Sequence, residues 1–340
     1  MSGGVDSSVA AALLKDQGYE VISVTMPVWP LNELTDEAQR VAHKLGIPHY
    51  VVNFCEIFEG KVVTDFCREY SRGRTPNPCI RCNQYIKFGA LLNRARELDA
   101  NLIATGHYAR IEKSNERYIL KKGVDTTKDQ SYALYTMTQD RLEHTLMPLG
   151  NLTKERVRQI AQELGLPVAS KPESQEICFI PDNDYPRFLE EHMSQATKPG
   201  PILDRKGNIL WEHRGIIHYT IGQRRGLGIP AKEPLYVVAI DPDRNAVIIG
   251  SRNDVYEDEL IADEINWIAF EEPPQPIEVK AKIRYLHRKA RALVNPLGNG
   301  RARIKFEEPQ MAITPGQAVV FYDGEVVVGG GTIEQGNRRC

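Results

Sequence analysis

Two cysteines, Cys79 and Cys82, lie in the proline-containing segment TPNPCIRCN (75–83) and are well suited to covalent chemistry. The prolines stiffen this loop and so hold the two thiols in a fixed relation. A lone C-x-x-C is compatible with a redox pair, half of a zinc site or part of an iron–sulfur site. No second C-x-x-C and no H-x₃-H completes a zinc quartet, which disfavours structural zinc. Arg74 and Arg81 would lower the pKa of a neighbouring thiol, as a nucleophilic cysteine requires.

The other cysteines divide into one candidate and three bystanders. Cys178 lies in the segment SQEICFI (174–180), which could reach the same edge of the fold as the first pair. Cys55 and Cys67 lie within apolar or helical patterns, and Cys340 is terminal. Six cysteines at such uneven spacing predict a protein of the reducing cytoplasm rather than a disulfide scaffold.

The segment SGGVDSS (2–8) runs directly into a helical pattern and has the composition of an anion-binding loop. Two glycines let the backbone approach a ligand, and small hydroxyl residues with the first N–H groups of a helix form a cradle for phosphate. The segment is neither a Walker A loop nor a GxGxxG motif. By composition alone it could equally be a glycine turn with serine caps. Its members are Ser2, Gly3, Gly4, Val5, Asp6, Ser7 and Ser8.

The elements that must position these residues alternate between strand and helix patterns from residue 1 to about 170. Apolar, β-branched runs at 21–26, 49–54 and 101–106 predict buried strands. This alternation predicts an α/β domain with a parallel sheet covered by helices, and ligands bind at the carboxyl ends of such strands. Apolar residues at helical spacing predict helices over 7–17, 33–45, 56–72, 86–98 and 152–165.

After about residue 197 the pattern changes to short strands separated by turns. A hairpin is expected around 206–208, and two strands are expected to flank a turn within 235–250. Farther on, the Asp323-Gly324 pair between two apolar runs is a strong hairpin signal. We therefore predict three parts: an α/β catalytic domain (1–196), a small mixed or β module (197–262) and a β-barrel-like domain (263–340).

The composition is that of a globular protein, with 340 residues, 41% hydrophobic and 26% charged residues and a net charge of −2. No apolar run approaches the roughly 18 residues that a membrane span needs, so we expect no membrane partner. Residues 281–305 contain eight Lys or Arg and no acidic residue, a pattern expected for contact with RNA phosphates. A solvated basic strand face would have the same composition. Arg72, Arg74, Arg81 and Lys87 form a second basic cluster around the cysteines.

Taken in order, these motifs resemble those of the bacterial tRNA-specific 2-thiouridylases, which belong to the ATP-pyrophosphatase superfamily. The resemblance also covers ATGHYAR (104–110), KDQSYAL (128–134) and HYTIGQRRGLGI (218–229), and so extends over essentially the whole chain. It implies a PP-loop fold (adenine nucleotide alpha hydrolase-like) and ATP-dependent conversion of the tRNA wobble uridine, U34, to 2-thiouridine, with release of AMP and pyrophosphate. In that family the loop follows a first β-strand, whereas this sequence begins at the loop, so we expect that strand to be missing.

The resemblance also assigns roles to single residues. Cys82 matches the catalytic nucleophile, and Cys178 matches the cysteine that carries a persulfide received from a sulfur-donor protein. ATP contacts are implied for residues 2–8, Met26 and Gly106. The target base would meet Asn77, Pro78 and Cys79. The tRNA would contact Lys128, Asp129, Gln130, Arg284 and Tyr285.

Two sulfur mechanisms remain open from the sequence. In the persulfide mechanism, Cys178 carries the transferred sulfur and Cys82 releases it by forming a disulfide with Cys178. In the cluster mechanism, Cys79, Cys82 and Cys178 hold a [4Fe-4S] cluster with one iron open to bind sulfur. Many family members have aspartate where this chain has Cys79, so the general-base role of that carboxylate does not transfer. Mg²⁺, with Asp6 as a candidate ligand, would stabilise the pyrophosphate together with the loop amides.

Two other functions share some of these features. A PP-loop ligase acting on a small metabolite would need the glycine loop, but neither the cysteines nor the basic C-terminal strands. An RNA-binding protein with a vestigial nucleotide loop would need the basic strands alone. Pyrophosphate release that depends on tRNA separates these functions, because the ligase would ignore tRNA and the binding protein would release nothing.

Overall fold

The computed structural model describes residues 1–27, 33–172, 177–193 and 198–336. An α/β domain forms the first half, and two β modules follow. The described α-helices are α1 (Val5–Asp16), α2 (Glu33–Leu45), α3 (Cys55–Phe58), α4 (Thr64–Ser71), α5 (Pro78–Cys82), α6 (Leu91–Glu97), α7 (Gln139–Glu143), α8 (Lys154–Glu163) and α9 (Tyr185–His192). The described strands are β1 (Ser23–Thr25), β2 (His49–Val51), β3 (Ile103–Ala104), β4 (Ala109–Ser114), β5 (Arg117–Lys122), β6 (Thr145–Leu146), β7 (Gly200–Leu203), β8 (Ile209–His213), β9 (Tyr236–Asp241), β10 (Ala246–Gly250), β11 (Tyr256–Trp267), β12 (Ile277–Lys282), β13 (Ala290–Gly298), β14 (Arg301–Met311), β15 (Ala318–Asp323) and β16 (Val326–Gly336).

Parallel strand pairs organise the α/β domain. β1 pairs with β2, and β3 pairs with β6, both in parallel. The strands expected at 21–26, 49–54 and 101–106 therefore form, although each is shorter than its apolar run. Helices α1 and α8 pack against each other around Val9 and Val157, which are fully buried. The predicted α/β fold with parallel strands is confirmed.

Two of the predicted helices are interrupted by π-helical segments. The helix expected over 56–72 is α3, a π-helical turn at Glu59–Val63 and then α4. The helix expected over 86–98 is a π-helical segment at Asn83–Ala90 followed by α6. A π turn adds a residue to each turn of the helix, so the apolar spacing in the sequence does not reveal it. Such segments are frequent at functional sites, and both of these adjoin the cysteine helix α5.

The C-terminal module is a closed barrel of six antiparallel strands. Its strands are ordered β11-β14-β13-β12-β15-β16, and pairing between β11 and β16 closes the ring. Along β14, Ile304 and Phe306 point into the core, whereas Arg303 and Lys305 are exposed, as the two-residue period of a strand requires. The expected hairpin joins β15 to β16 through Gly324, which has a φ of 54°. The predicted barrel is confirmed.

A hairpin of the α/β domain continues the barrel sheet, and the sequence did not predict it. Strands β4 and β5 pair with each other, and β5 meets β16 where Lys121 lies opposite Val326. Beneath the hairpin a single apolar cluster contains Phe88 and Leu134 of the α/β domain together with Val320 of the barrel. The two domains therefore share a core.

The central module is a four-stranded sheet with the order β8-β7-β10-β9. The hairpin expected around 206–208 joins β7 to β8, and the turn expected within 235–250 joins β9 to β10. Its apolar cluster includes Ala312, and Met311 packs against it, so the module contacts the end of β14 and the residue after it. The boundaries at 196 and 262 remain predictions. Among the helices that the structure describes, none is long and apolar enough to cross a membrane.

Candidate active site

The glycine loop turns sharply into helix α1. Gly3 has a φ of 67°, in the left-handed region that favours glycine, and Gly4 is the extended N-cap residue of α1. The Ser8 hydroxyl donates to the Gly4 carbonyl at 2.8 Å, and the Ser7 hydroxyl donates to the same oxygen at 3.2 Å. The Ser2 amide donates to Ser7 Oγ at 3.2 Å. The loop is thereby held against the N-terminus of a twelve-residue helix, where amides and the helix dipole favour an anion.

Gly106 lies against this loop so closely that no side chain fits. A Cβ atom on Gly106 would stand 2.8 Å from the Asp6 carbonyl carbon and 2.9 Å from the Ser7 nitrogen. Gly106 follows β3, and Met26 follows β1, so both stand at carboxyl ends of parallel strands. The structure thus brings Gly106 to residues 2–8, as a shared nucleotide site would require.

The Asp6 carboxylate is held by two residues that sequence reasoning missed. Lys154 Nζ donates to both carboxylate oxygens at 2.7 Å, and the Tyr108 hydroxyl donates to Oδ1 at 2.8 Å. Lys154 is buried at the start of α8. An ammonium on both oxygens does not fit a divalent ion bound by Asp6, because the two cations would repel. The segment LTKERV indicated only the helix cap at Thr153. It could not indicate the contact between Lys154 and Asp6, because these residues are remote in sequence.

The cysteine helix α5 is fixed at its start by Asn77. The Asn77 side chain accepts a hydrogen bond from the Cys79 amide at 3.1 Å, and Pro78 occupies the first helical position. This geometry places Cys79 in the first turn and Cys82 at the end of the helix. Asn77, Pro78 and Cys79, which are expected to meet the target base, therefore form the capped first turn of α5.

An aromatic cluster brings the two cysteine segments together. Cys82 and Ile177 both pack against it, and the neighbouring Phe179 is one of its buried members. The Phe179 ring lies 5.5 Å from the ring of Phe58 and 5.7 Å from the ring of Phe66. Cys178, between Ile177 and Phe179, has an exposed side chain. The segments that are remote in sequence therefore converge, as the proposed sulfur chemistry needs.

All three candidate thiols have raised pKa values. Burial is the largest cause for Cys79, Cys82 and Cys178, and for Cys178 the nearby Cys82 and Cys79 thiols add to it, raising its pKa to about 12. Cys79 and Cys178 are nonetheless exposed residues, whereas Cys82 is half-buried. Lys87 is the cation that lowers the pKa of all three. The thiols are therefore protonated at neutral pH.

The expectation that Arg74 and Arg81 lower the thiol pKa is wrong. Arg74 Nε donates to Glu69 at 2.6 Å, and Arg81 pairs with Asp65 at 3.3 Å and with Glu264 at 2.8 Å. Each arginine is thus neutralised by carboxylates. Arg72, which is mostly exposed, lies 3.8 Å from the same Glu69. The acids come from the preceding helix and from the barrel, which the local sequence could not show.

The described cysteines are all free thiols, and Cys340 lies outside the described residues. In the part of the chain that the structure describes, no group of three or more His, Cys, Asp or Glu is arranged to hold a metal ion. Part of the segment that precedes Cys178, residues 174–176, also lies outside that part. The geometry therefore gives the [4Fe-4S] mechanism no support of its own.

The two segments expected to contact tRNA meet beside the hairpin β4–β5. The Tyr285 ring lies 6.2 Å from the ring of Tyr132, close to Lys128, Asp129 and Gln130 in the chain. The last two of these also order their own loop: Gln130 Oε1 accepts from the Tyr108 amide at 3.0 Å, and Asp129 accepts from the Gly123 and Ser131 amides at 3.2 and 3.1 Å. Arg284 donates to the Met311 carbonyl at 3.0 Å.

The basic segment 281–305 divides into two halves. In its second half the cations face acidic side chains of neighbouring strands; these pairs are Arg291–Glu307, Arg301–Glu334, Arg303–Glu259 and Lys305–Asp258. That half therefore resembles a solvated strand face, the alternative to RNA contact that the composition also allowed. The first half, with Lys282, Arg284 and Lys289, is gathered around tyrosine rings instead.

Fold and site together define a nucleotide-binding α/β domain of the HUP type that carries a cysteine pair and is joined to two β modules. Three family models match the chain: "tRNA methyl transferase HUP domain" over residues 1–182, "tRNA methyl transferase PRC-barrel domain" over 186–251 and "Aminomethyltransferase beta-barrel domain" over 257–333. The chain belongs to the tRNA-specific 2-thiouridylase family.

Curated relatives match over nearly the whole chain. The tRNA-specific 2-thiouridylase MnmA of Acetivibrio thermocellus is 55% identical over 98% of both chains. The enzymes of the same name from Moorella thermoacetica and Halothermothrix orenii are 54% and 52% identical, again over 98% of both chains. Among solved structures, the U34-tRNA thiolase NcsA from Methanococcus maripaludis with its [4Fe-4S] cluster has 18% identity and a TM-score of 0.35, over 57% of this chain and 64% of that chain. A likeness this weak carries no conclusion about the site.

Proposed function

We propose that this protein is a tRNA 2-thiouridylase, a sulfurtransferase that converts the wobble uridine of tRNA to 2-thiouridine at the expense of ATP. One observation supports the proposal: Cys82 and Ile177 pack against the same aromatic cluster as Met26 and Val52, which follow the parallel strands β1 and β2. The names and high identity of the relatives support the same reaction. The substrate macromolecule is tRNA.

In the first step, ATP adenylates the C2 oxygen of the uridine, and the C2–O–AMP bond forms as pyrophosphate leaves. Residues 2–8 would bind the departing pyrophosphate through their amides and the dipole of α1. Gly106 and Met26 would border the nucleotide. Mg²⁺ arriving with ATP would supply charge neutralisation at the phosphates, while Asp6, occupied by Lys154, orders the loop.

In the second step, the outer sulfur of a Cys178 persulfide attacks C2 and AMP leaves, so that C2 is bonded to Cys178 through a disulfide. The Cys82 thiolate then attacks the Cys178 sulfur. A Cys82–Cys178 disulfide forms, the C–S bond stays with the base, and 2-thiouridine is released. A cellular thiol must supply two electrons to reduce the disulfide before the next cycle.

The remaining roles follow the same scheme. Lys87 would favour the thiolate of Cys82 at the moment of attack, since it lowers the pKa of that thiol. Asn77, Pro78 and Cys79 would form the wall against the flipped uracil. A protein that carries a persulfide can reach Cys178 because that side chain is exposed.

Cys82→Ser and Cys178→Ser test the proposal. Each variant should still release pyrophosphate in the presence of tRNA, because adenylation precedes sulfur transfer, but should form no 2-thiouridine. Both should bind tRNA nearly as the wild type does. Cys67→Ser, a half-buried cysteine in α4, is the matched control and should remain active.

The assay also separates the other functions. Pyrophosphate release without tRNA would indicate a metabolite ligase, and no release at all would indicate an RNA-binding protein. Full thiolation by either serine variant would contradict the persulfide mechanism. Iron and sulfide analysis of anaerobically purified protein completes the test, because stoichiometric iron that both serine variants lose would replace the persulfide mechanism with the cluster mechanism.

A further inference from the structure

Two lysines face each other at the seam between the α/β domain and the barrel. Lys122 lies at the end of β5, where its amide donates to the carbonyl of Glu325 in the turn after β15 at 2.9 Å. Lys289 lies just before β13, close enough that the Lys122 side chain lowers its pKa. Lys289 Nζ also stands 4.9 Å from the centre of the Tyr322 ring. Two neighbouring ammonium groups repel, so a negative group placed between them would stabilise the arrangement.

More positive charge surrounds this pair. Lys282, at the end of β12, lies over the rings of Tyr132 and Tyr285 at 5.6 and 5.3 Å. Lys280, on the same strand, also adds positive charge at Lys289. The patch is thus a group of cations interleaved with aromatic rings.

The acids that face the pair are already engaged. Asp129 faces Lys289 and Lys282, but both of its oxygens accept hydrogen bonds, from two backbone amides and the Ser131 hydroxyl. Glu325 faces Lys122 and accepts a hydrogen bond from Arg110 at 2.8 Å. The described residues therefore leave the two ammonium groups with an excess of positive charge.

We propose that Lys122 and Lys289 form a binding site for one backbone phosphate of the tRNA, whose oxygens bridge the two ammonium groups. This inference rests on the proposed function. Exposed Tyr285 beside the site favours RNA over an acidic protein, because a base plane can stack on the ring while carboxylates would leave it uncovered. The site lies on both domains, so a bound phosphate would tie them together.

Binding at this site must be coupled to protonation. Burial and the Lys122 ammonium lower the pKa of Lys289 to about 8, with Lys280 in the same direction and Asp129 opposing. A bound phosphate would offset the repulsion from Lys122 and raise the pKa of Lys289, so the protein would take up a proton when it binds RNA above pH 8. The affinity for tRNA therefore falls as the pH rises from 7 to 9.

The experiment measures the Kd of an unmodified tRNA transcript by fluorescence anisotropy at pH 7 and pH 9, over a range of salt concentrations. Lys289→Met should weaken binding about tenfold at pH 7 and reduce the salt slope by about one. Lys289→Arg should keep most of the affinity at pH 7 and lose the pH dependence, because arginine does not titrate there. The matched control is Lys206→Met, the same change of charge at an exposed lysine of the central module.

The outcomes separate the site from the function. If the wild type binds tRNA but Lys122→Met and Lys289→Met bind as tightly as Lys206→Met, the phosphate site is wrong and the proposed function stands. If the wild type binds no tRNA, the proposed function fails and this site with it. Loss of pH dependence in Lys289→Arg together with a reduced salt slope in both methionine variants supports the site.

Discussion

The reactivity of Cys82 is set by its neighbours rather than by its place in a C-x-x-C motif. One side of the thiol packs against the aromatic cluster around Phe179, which removes water and raises the pKa. Lys87, which lies in the π-helical segment after α5, lowers the pKa of the same thiol. The balance leaves a protonated thiol that ionises when the pH rises or when a partner removes its proton.

Lys87→Met should therefore make the thiols less reactive. We expect the rate of alkylation of Cys82 by iodoacetamide to rise about tenfold per pH unit without a plateau below pH 9, because a raised pKa keeps the thiolate a minority there. In Lys87→Met the rate should be several-fold lower at each pH, as followed by peptide mass spectrometry. Lys61→Met, an exposed lysine over the Tyr85 ring, should react as the wild type does. Equal rates in all three proteins would contradict the role of Lys87.

Gly106→Ala tests the contact between β3 and the glycine loop. The new Cβ would stand within 2.9 Å of Asp6 and Ser7 backbone atoms, so the loop must move. We expect a loss of about 1–3 kcal/mol of stability and a fall of about ten- to hundredfold in pyrophosphate release. Gly60→Ala is the control, since nothing lies within 4 Å of its Cβ position. A variant with normal pyrophosphate release would show that the loop need not hold this geometry.

At the scale of elements, the barrel holds the cysteine segment in place. The Thr75 amide donates to the Pro315 carbonyl at 2.8 Å, and Gln317 Nε2 donates to the Thr75 carbonyl at 2.8 Å. Arg81 reaches from α5 to Glu264, a residue of β11 with a φ of 50°. A non-glycine residue in the left-handed region costs energy, so the surrounding structure must hold Glu264 there. The barrel is thus part of the scaffold of the active site.

Gly316→Ala should displace the cysteine segment. Gly316 has a φ of 88°, and a Cβ there would lie 3.0 Å from backbone atoms of Thr75. Gly324→Ala is a matched control, because its φ of 54° is also left-handed but nothing lies within 4 Å. Both variants should lose about 1–2 kcal/mol from backbone strain. Gly316→Ala alone should lower the rate of thiolation, by about tenfold, while tRNA affinity is kept.

Thiolation and thermal unfolding of the two variants give the measurement. Equal activities at equal stability would show that the loop containing Gly316 does not position Thr75. A lower rate in Gly316→Ala alone supports the docking of the cysteine segment on the barrel.

The elements that follow local rules could be predicted from the sequence. The start of α8 follows from the Thr153 cap, and the β15–β16 hairpin follows from Asp323-Gly324. The partners of charged residues could not be predicted, because Arg81 meets Glu264 across a large separation in sequence. The same limit applies to Lys154 and Asp6. Local pattern fixes an element, whereas long-range packing decides which charges meet.

At the scale of the whole molecule, the α/β domain and the barrel are coupled by packing. Leu134 and Met137 of the first domain share an apolar cluster with Ala318, Val320 and Tyr322 of the barrel, all nearly fully buried. Separating the domains would expose these side chains at a cost of roughly 1.5–3 kcal/mol for each large one. The catalytic segment and the basic patch both lie along this seam, so their relative positions depend on it.

We therefore expect the α/β domain and the barrel to unfold in one transition. Trp267 of β11 packs against Phe321 in the barrel core, so in a Trp29→Phe, Trp211→Phe background the tryptophan fluorescence reports the barrel. Far-UV circular dichroism reports the helices of the α/β domain. In a denaturant titration the two signals should have the same midpoint. Leu134→Ala should reduce the free energy of unfolding by about 2–5 kcal/mol. The midpoints of both signals should therefore fall, although Leu134 is not in the barrel.

Val294→Ala, in the barrel core, is the control that shows how the Trp267 signal responds when the barrel itself is weakened. If Leu134→Ala moves the circular dichroism midpoint and leaves the Trp267 midpoint where it was, the barrel folds independently. The cysteine segment would then be docked on a barrel that can separate from the nucleotide domain. In that case tRNA bound across the seam, rather than the shared core, would have to hold the two parts of the active site together.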